Sequence, residues 1–306
     1  LIIDRPLDPS TGYTSTQTNI GLIENKGVEL DLSYDWIQSN DGINLSSALN
    51  WSTNDAIVRD LGADTDKIVY SGFGTLGNAA IVGESLGTII GSSVTRNSSL
   101  ENFRWLPGEK VVNNQGSYAQ TFDPTIIGDA NPDWIANISN SISYKNLSFN
   151  FLFNYQQGGD IFTYTVATLL GRGLSADTLD RELSFILPGV NANGQKNNKQ
   201  INNSTFYFSN VLYGPDEMLV YDASHWRLGE ISLSYSLPKS LIENTPFGNI
   251  SITASGFNLA YDAYNTPPGT NFDPNIAGVG VGNGRGFDYL NGPSAKRYGG
   301  SIKLTF

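Results

Sequence analysis

The clearest pattern in the chain is a strict alternation of apolar and polar residues over 28–36, which reads V-E-L-D-L-S-Y-D-W. A period of two places successive side chains on opposite faces of a β-strand. After the turn-forming stretch 39–42 (S-N-D-G), residues 43–51 again carry most of their large apolar side chains on one face. The two segments therefore predict an antiparallel hairpin.

A second hairpin is predicted over 134–144 and 147–155, with Lys145 and Asn146 as a two-residue connection. In its second strand the large apolar residues share one face, with a single lapse at Leu152. Further strands are predicted over 225–237, 249–259 and 296–306, and a less regular one over 81–91. The fold class predicted by these strands is all-β and antiparallel.

The polar face of these strands is unlike that of a soluble sandwich. It carries Asp, Asn, Ser and Gln with little Lys, which is typical of a water-filled interior. A strand of about 10 residues, rising about 3.3 Å each and tilted by about 45°, climbs about 23 Å, which matches the apolar band of an outer-membrane barrel. The pattern therefore predicts a transmembrane antiparallel β-barrel.

The connections between the predicted strands are asymmetric. Short turns (39–42 and 145–146) alternate with long Gly/Asn-rich loops at 55–80, 156–220 and 260–295, as in transmembrane barrels with long extracellular loops. Within the second loop, the apolar spacing of 161–170 and 176–187 predicts short helices, and 191–204 reads as a polar loop tip. Aromatic residues near the strand ends (Tyr34, Trp36, Trp51, Tyr155 and Tyr298) suit the headgroup level of a bilayer.

This interpretation assigns the apolar face to lipid. The lipid-facing residues predicted here are Val28, Leu30, Leu32, Tyr34, Trp36, Leu147, Phe149, Phe151, Phe153, Ile231 and Leu233. On the opposite face, Glu29, Asp31 and Asp35 recur every two or four residues. Because they repeat along one strand, we interpret them as the wall of an aqueous channel rather than as an acid/base pair.

Composition excludes several classes of function. The formal net charge is -11 and no run of Lys or Arg occurs, which argues against nucleic acid as a partner. The absence of Cys excludes disulfides, thiolate metal sites and a Cys nucleophile, and a single His (His225) cannot build a His cluster or a Ser-His-Asp set. No apolar run reaches the roughly 18 residues of a membrane helix. We therefore expect no enzyme activity, no cofactor and no metal.

The glycine-rich stretch 278–286 superficially resembles a phosphate-binding loop. No predicted strand leads into it, no helix follows and no Lys-Ser/Thr ends it, so we interpret it as a loop. The better candidates for ligand contact are loop aromatics, whose rings can stack on a sugar or cover a peptide while Asn and Asp hydrogen-bond it. These candidates are Phe103, Trp105, Tyr118, Phe162, Tyr164, Tyr213, Tyr261, Tyr264, Phe287 and Tyr289.

An ordered set of short motifs runs along the chain, beginning at 19–30 with N-I-G-L-I-E-N-K-G-V-E-L. The later members are V-G-E-S-L-G (82–87), I-G-D-A-N-P-D-W (127–134), Y-K-N (144–146), Q-G-G-D-I-F (157–162), the segment from D-A-S to L-P-K (222–239), S-G-F-N-L (255–259) and F-D-P-N (272–275). In this order and spacing, the set resembles the SusC/RagA-type TonB-dependent transporters of Bacteroidota outer membranes. The stretch 113–120 departs from the Asp/Asn/Gly-rich, calcium-loop-like sequence that many relatives carry there, so we expect no metal at this place.

The resemblance implies the C-terminal part of one plugged barrel of about 22 strands, of which residues 1–306 supply about seven to nine. It implies a bacterial outer-membrane location, with the plug and first barrel strands outside this chain. It also implies import of an oligosaccharide or peptide nutrient. The implied partners are a SusD-like surface lipoprotein as lid, TonB through the missing N-terminal part, the remainder of the barrel, membrane lipid and a possible dimer of SusC-SusD pairs.

The last strand resembles the C-terminal signal by which outer-membrane barrels are recognised for assembly. The residues that carry this resemblance are Tyr298, Ile302, Leu304 and the terminal Phe306. The same residues are also suited to face lipid.

Two alternatives remain open from the sequence. A complete small barrel acting as an adhesin or anchor would close on itself with about eight strands. A secreted β-sandwich that binds glycans would pair the apolar faces of two sheets.

Overall fold

The computed structural model describes residues 2–19, 21–62, 65–97, 109–276 and 284–306. The strands in these residues are β1 (Ile2–Pro6), β2 (Ser15–Asn19), β3 (Leu22–Ile37), β4 (Ile43–Asp60), β5 (Lys67–Phe73), β6 (Leu76–Ile81), β7 (Thr88–Val94), β8 (Arg96–Asn97), β9 (Glu109–Lys110), β10 (Gln120–Asp129), β11 (Pro132–Tyr144), β12 (Leu147–Gly158), β13 (Asp160–Thr163), β14 (Ser184–Ile186), β15 (Gln200–Asn202), β16 (Val220–Asp222), β17 (His225–Ser236), β18 (Asn249–Asp262), β19 (Phe287–Asp288) and β20 (Arg297–Thr305).

Helical elements are few and short. The α-helices are α1 (Tyr164–Gly171), α2 (Asn203–Phe206) and α3 (Lys239–Ile242), and a π-helical turn spans Tyr207–Leu212. The 3-10 turns are Pro9–Thr11, Ala176–Thr178, Asp216–Leu219, Pro268–Thr270 and Pro274–Ile276. No helix in the described ranges is both long and apolar enough to cross a membrane.

Seven strands form one antiparallel sheet, which we call the wall, in the order β20-β18-β17-β12-β11-β4-β3. Each wall strand pairs with the wall strand that precedes or follows it along the chain. The predicted hairpins correspond to β3-β4 and β11-β12, and the predicted all-β class is confirmed. β3 and β20 do not pair with each other, so the wall is open at both edges within the described residues.

The connections of the wall differ sharply between its two ends. At one end the links are short: 38–42, 145–146 and 237–248. In the tightest of them Lys145 adopts a positive φ of 52°, and Asn146 Nδ2 donates to the Ser236 carbonyl at 2.8 Å. At the other end the links are long, over 61–131, 159–224 and 263–296, in agreement with the predicted asymmetry.

We call the described residues of these three long connections the loop body. It contains a four-stranded sheet, β10-β7-β6-β5, a three-stranded sheet, β16-β13-β19, and α1. The strand predicted over 81–91 is shifted, because β6 ends at Ile81 and β7 begins at Thr88. The second predicted loop helix is wrong, since 176–187 forms a 3-10 turn and β14 instead.

The hydrophobic core lies in the loop body and not in the wall. One buried cluster draws side chains from all three long connections, including Ile89 and Ile127 from the first, Phe162 and Val166 from the second, and Phe287 from the third. Because the three connections share this core, they fold as one unit at one end of the wall.

The wall itself is a single layer whose apolar face is uncovered in the described part of the chain. Leu32, Trp36 and Ile302 are 55%, 61% and 67% exposed. Soluble proteins rarely expose so large a contiguous apolar surface, and a sandwich would need a second sheet against it. The geometry therefore favours lipid as the medium on this face.

Candidate functional site

The polar face of the wall carries rows of hydrogen-bonding side chains that run across the strands. The pairing register places Asp31, Asn50, Asn137, Asn154 and Arg227 in one row across β3, β4, β11, β12 and β17. Asn50 Nδ2 donates to Asp31 Oδ1, and Asn154 Nδ2 donates to Asn137 Oδ1 at 2.6 Å. Paired amides and carboxylates of this kind suit a surface that faces water.

A second polar row lies nearer the end with short turns. Its members, in strand order, are Asp35, Ser46, Ser141, Asn150, Ser232 and Ser255. Their side chains are small, so the row leaves open space above the sheet. A cavity of about 610 Å³ lies against the middle of this face, and one of about 540 Å³ lies at the turn between β3 and β4.

A third cavity, of about 400 Å³, lies on the same face at the end that meets the loop body. Its lining includes Asn154, Gln156, His225, Arg227 and Asn258. The three cavities thus follow one polar surface from the short turns to the loop body. The space is shaped to hold a hydrated, polar molecule rather than an apolar one.

A buried ion pair joins the wall to the loop body. Arg227 on β17 bonds Asp273 Oδ1 through Nη2 and Asn258 Oδ1 through Nη1, the latter at 3.2 Å. The side chains of Arg227 and Asp273 are 6% and 1% exposed, and the guanidinium also lies 5.6 Å from the Tyr261 ring centroid. This pair anchors the third connection to the polar face of the wall.

The predicted loop aromatics separate into two groups. Phe162, Phe287 and Tyr118 are buried, at 2%, 2% and 8% exposure, and pack the loop body instead of offering a ring to solvent. Phe162 and Phe287 are buried together because they lie opposite each other on the paired strands β13 and β19. Phe103 and Trp105 lie outside the described residues.

The other predicted aromatics reach the surface or the rim of the wall. Tyr164 and Tyr289 stack at 5.0 Å with an interplanar angle of 10°. Tyr213 is 56% exposed. Tyr264 Oη lies 2.7 Å from Tyr155 Oη, and burial at this rim raises the pKa of Tyr264 to about 12. Tyr261 donates to the Asn271 carbonyl at 2.6 Å.

His225 has a structural environment. It lies at the start of β17, and its Nδ1 is 2.8 Å from the Ala223 carbonyl oxygen. Within the described ranges, no three His, Asp or Glu residues converge in a way that could hold a metal ion. His225 therefore has a structural role at the first residue of β17, where it also lines the 400 Å³ cavity.

On the apolar face, aromatic side chains gather towards both ends of the wall. Near the loop body, Trp134 stacks on Tyr155 at 5.0 Å and Phe153 stacks on Trp226 at 5.7 Å. Near the short turns, the Tyr34 and Trp36 rings meet edge to face at 4.8 Å. The register places all the predicted lipid-facing residues on this one face. Two aromatic zones around an apolar band are typical of a membrane barrel.

Comparison with known proteins gives a consistent result, although no family model matches the chain. It is 27% identical over 326 residues to TonB-dependent receptor P3 of Formosa agariphila, and 27% identical over 330 residues to receptor P26 of the same organism. Each match covers 100% of this chain and 31% of the relative. Over its whole length the chain is therefore similar to proteins named TonB-dependent receptors. It spans about a third of the length of the curated relatives that it matches.

Solved structures agree with the fold of this chain. The RagAB peptide transporter superposes with a TM-score of 0.66 at 19% identity, covering 100% of this chain and 32% of that one. The RagAB peptide importer in its open-open state gives 0.65 at 21% identity. At this identity the match concerns fold alone, and it confirms the predicted antiparallel transmembrane β-barrel fold.

Sequence reasoning missed several residues that shape the polar face and the loop body. Arg227 ends a row otherwise made of Asn and Asp, and its partner Asp273 lies in the F-D-P-N motif 46 residues further along the chain. Alternation places Arg227 on the polar face, but nothing local to it indicates the pairing. Arg172 and Arg181 were also missed, because the apolar spacing of 161–170 and 176–187 predicted helices and gave no indication of the chain reversal at Gly173.

Proposed function

We propose that this chain forms part of the wall and extracellular loops of an outer-membrane barrel that imports a nutrient by TonB-dependent transport. The observation that carries the proposal is the single-layered wall, apolar and uncovered on one face and hydrogen-bonded and polar on the other. Its similarity over the whole chain to proteins named TonB-dependent receptors supports the same proposal.

The cargo in this proposal is an oligosaccharide or a peptide. Both are polar, flexible and rich in hydrogen-bonding groups, and the polar face presents amide, hydroxyl and carboxylate groups that match them. The three cavities of about 400, 610 and 540 Å³ follow the direction of passage from the loop body to the short turns. The chain acts as a transporter part and not as an enzyme.

Two of the proposed partners, the lid lipoprotein and the remainder of the barrel, are assigned to exposed surfaces of the chain. Leu174, Leu179, Leu183 and Ile186 of the loop body are 71%, 82%, 53% and 51% exposed, which suits contact with a SusD-like lipoprotein lid. The outer edges of β3 and β20 offer unpaired backbone groups to the remainder of the barrel. TonB would act through the plug-bearing N-terminal part, and pairs of transporter and lid would form dimers.

The test is to purify the protein under native conditions from detergent-solubilised outer membranes of its source and identify what accompanies it by mass spectrometry. We expect peptides of a plug-bearing N-terminal part and of a SusD-like lipoprotein in equal amounts. Recovery of the chain alone, or in the soluble fraction, would contradict the proposal and favour an adhesin or a secreted glycan-binding protein.

A further inference from the structure

A small polar pocket, separate from the cavities of the wall, lies in the loop body between α1 and the π-helical turn. Its volume is about 80 Å³, and both Arg172 and Arg181 line it. Hydroxyl-bearing Thr178, Ser204 and Tyr207 share the lining, which Leu170, Gly171 and Gly173 complete. The pocket therefore concentrates hydrogen-bond donors in a space the size of one functional group.

The chain path after α1 brings the two arginines together. The helix ends at Gly171, and Gly173 adopts a positive φ of 68°, which reverses the chain direction. The chain then returns so that Arg181 Nη2 donates to the Gly173 carbonyl at 3.1 Å. A Cβ at Gly173 would lie 3.1 Å from Arg181 Nη2, so a glycine there both permits the turn and leaves room for the guanidinium.

Neither guanidinium is neutralised within the described part of the chain. The ion pairs found there involve Arg59, Arg96, Arg227 and Lys26, and no carboxylate oxygen lies within 4.0 Å of Arg172 or Arg181. Arg172 is instead held by neutral groups of Tyr213: Nη2 donates to the phenol oxygen at 2.9 Å, and the ring centroid is 5.9 Å away. Two cations that line one pocket without a direct carboxylate partner favour an anion there.

Two of the three pocket hydroxyls can also donate hydrogen bonds to a ligand. Ser204 Oγ and Tyr207 Oη have no hydrogen-bond partner among the described residues, whereas Thr178 Oγ1 already donates to the Ser175 carbonyl at 2.7 Å. A guanidinium has five N–H donors, of which each arginine uses few here. The free donors are those that a carboxylate or sulfate, which accepts several hydrogen bonds at once, requires.

We infer that this pocket binds one oxyanionic group, a carboxylate or a sulfate ester, of an acidic oligosaccharide. The volume limits the ligand to such a group, because a water molecule takes about 30 Å³ and 80 Å³ therefore has room for about three water-sized oxygen groups. The inference rests on the proposed import function and specifies the charge of the cargo.

The aromatic surroundings favour a sugar as the carrier of the oxyanion. Tyr213, which holds Arg172, is 56% exposed, and Tyr164 and Tyr289 form a stacked pair at 5.0 Å. The charge of Arg172 acts on the ionisation of Tyr164, which places this pair in the same neighbourhood. Exposed rigid rings beside an anion pocket fit a sugar ring with a charged substituent.

A purely structural role predicts different behaviour. Cations near the C-terminal end of α1 can stabilise the helix through its last carbonyl groups. Under that alternative, Arg172→Gln and Arg181→Gln would lower the melting temperature and leave anion binding unchanged.

The test measures binding by calorimetry with the whole protein in detergent, purified as above. The probes are trigalacturonate, a sulfated galactan tetramer, neutral galactotriose and an acidic tripeptide. We expect at least one acidic oligosaccharide to bind, and Arg172→Gln and Arg181→Gln each to weaken it about tenfold, since each removes a charge-assisted hydrogen bond. Arg285→Gln, an exposed arginine of the loop body outside the pocket, is the matched control and should change nothing.

Several outcomes would overturn the inference: no binding of either acidic oligosaccharide, equally tight binding of galactotriose, unchanged binding in both pocket variants, or tighter pocket-dependent binding of the tripeptide. None of these would affect the proposed import function if the lid lipoprotein still copurifies. Loss of copurification in the unmodified protein would instead contradict the proposed function itself.

Discussion

Asn50 on β4 donates a hydrogen bond from Nδ2 to Oδ1 of Asp31 on β3, directly opposite it in the pairing register. One residue further along β3, Leu32 faces the other side of the sheet and is 55% exposed. One face of this strand is therefore suited to water and the other to lipid, and two successive residues lie on opposite faces. A charged residue should therefore be tolerated at one of these adjacent positions and disruptive at the other.

Leu32→Lys should prevent assembly of the barrel in the outer membrane. A lysine near mid-strand on the lipid face costs about 2–4 kcal/mol, whereas the same lysine at position 31 points into water. Asp31→Lys is therefore the matched control, and Asp31→Leu should also be tolerated. The measurement is the folded fraction in isolated outer membranes, from heat-modifiable mobility on gels. Normal assembly of Leu32→Lys would refute the lipid-facing assignment.

Arg227→Met should loosen the third long connection from the wall. The substitution leaves the Asp273 carboxylate, 1% exposed, without its counter-ion, and breaking a buried pair costs about 3–5 kcal/mol. We expect faster chymotrypsin cleavage within 263–276 on intact cells. The double variant Arg227→Met/Asp273→Leu removes both charges and should regain protection. If the single variant is as resistant as the unmodified protein, the pair does not anchor this connection.

Much of the wall could be predicted because one physical rule governs it. A sheet between lipid and water must alternate, and 28–36 does so without error. The exceptions have structural causes that a linear pattern does not contain. Asn140 lies on the apolar face, where Ser47 Oγ donates to its Oδ1 at 2.6 Å and Trp36 Nε1 donates to Ser47 at 3.0 Å. Leu152 lies on the polar face opposite Ser139.

The loop body was much harder to predict, because its order depends on contacts between distant segments. Phe162 and Phe287 look like any exposed loop aromatics in the sequence, yet they meet in a core that three separate connections build. Arg172 and Arg181 line one pocket because the chain reverses at Gly173. Neither relationship has a periodic signal, so sequence reasoning named candidate residues without knowing which would be buried.

Asp129→Asn should stabilise the protein at neutral pH. Burial raises the pKa of Asp129 above its ordinary value of 3.8, and the nearby Asp55 and Asp133 act in the same direction. A carboxyl whose pKa is raised on folding is harder to ionise in the folded state, so its charge disfavours folding above that pKa. The melting temperature in detergent should rise for Asp129→Asn at pH 7, and the gain should vanish below about pH 3.8, where both states are protonated.

The exposed Asp123 lies on the same strand, β10, and provides the control for the previous experiment. Asp123→Asn removes one negative charge without relieving burial, so its melting temperature should change little at any pH. An equal gain in both variants would mean that net charge, and not the buried position of Asp129, determines the effect.

Two consecutive carboxylates hold the first and second long connections together. Asp216 Oδ2 accepts from the backbone N–H of Ser92 at 2.9 Å, and Glu217 accepts from the Val94 N–H at 2.9 Å and from Arg96 Nη2 at 2.6 Å. Residues 92, 94 and 96 are spaced by two and therefore lie on the same side of β7 and of the strand that continues it. The 3-10 turn Asp216–Leu219 contacts this one side.

Glu217→Gln should therefore destabilise the loop body while leaving the wall assembled. It keeps the shape of the side chain but leaves the Arg96 guanidinium, 10% exposed, without a charged partner, at a cost of about 2 kcal/mol or more. We expect faster proteolysis and hydrogen exchange in β7 and the turn Asp216–Leu219, with unchanged heat-modifiable mobility of the barrel. Glu182→Gln, at an exposed position of the same connection, controls for charge. Equal protection in both variants would show that the first and second connections are joined by their shared core alone.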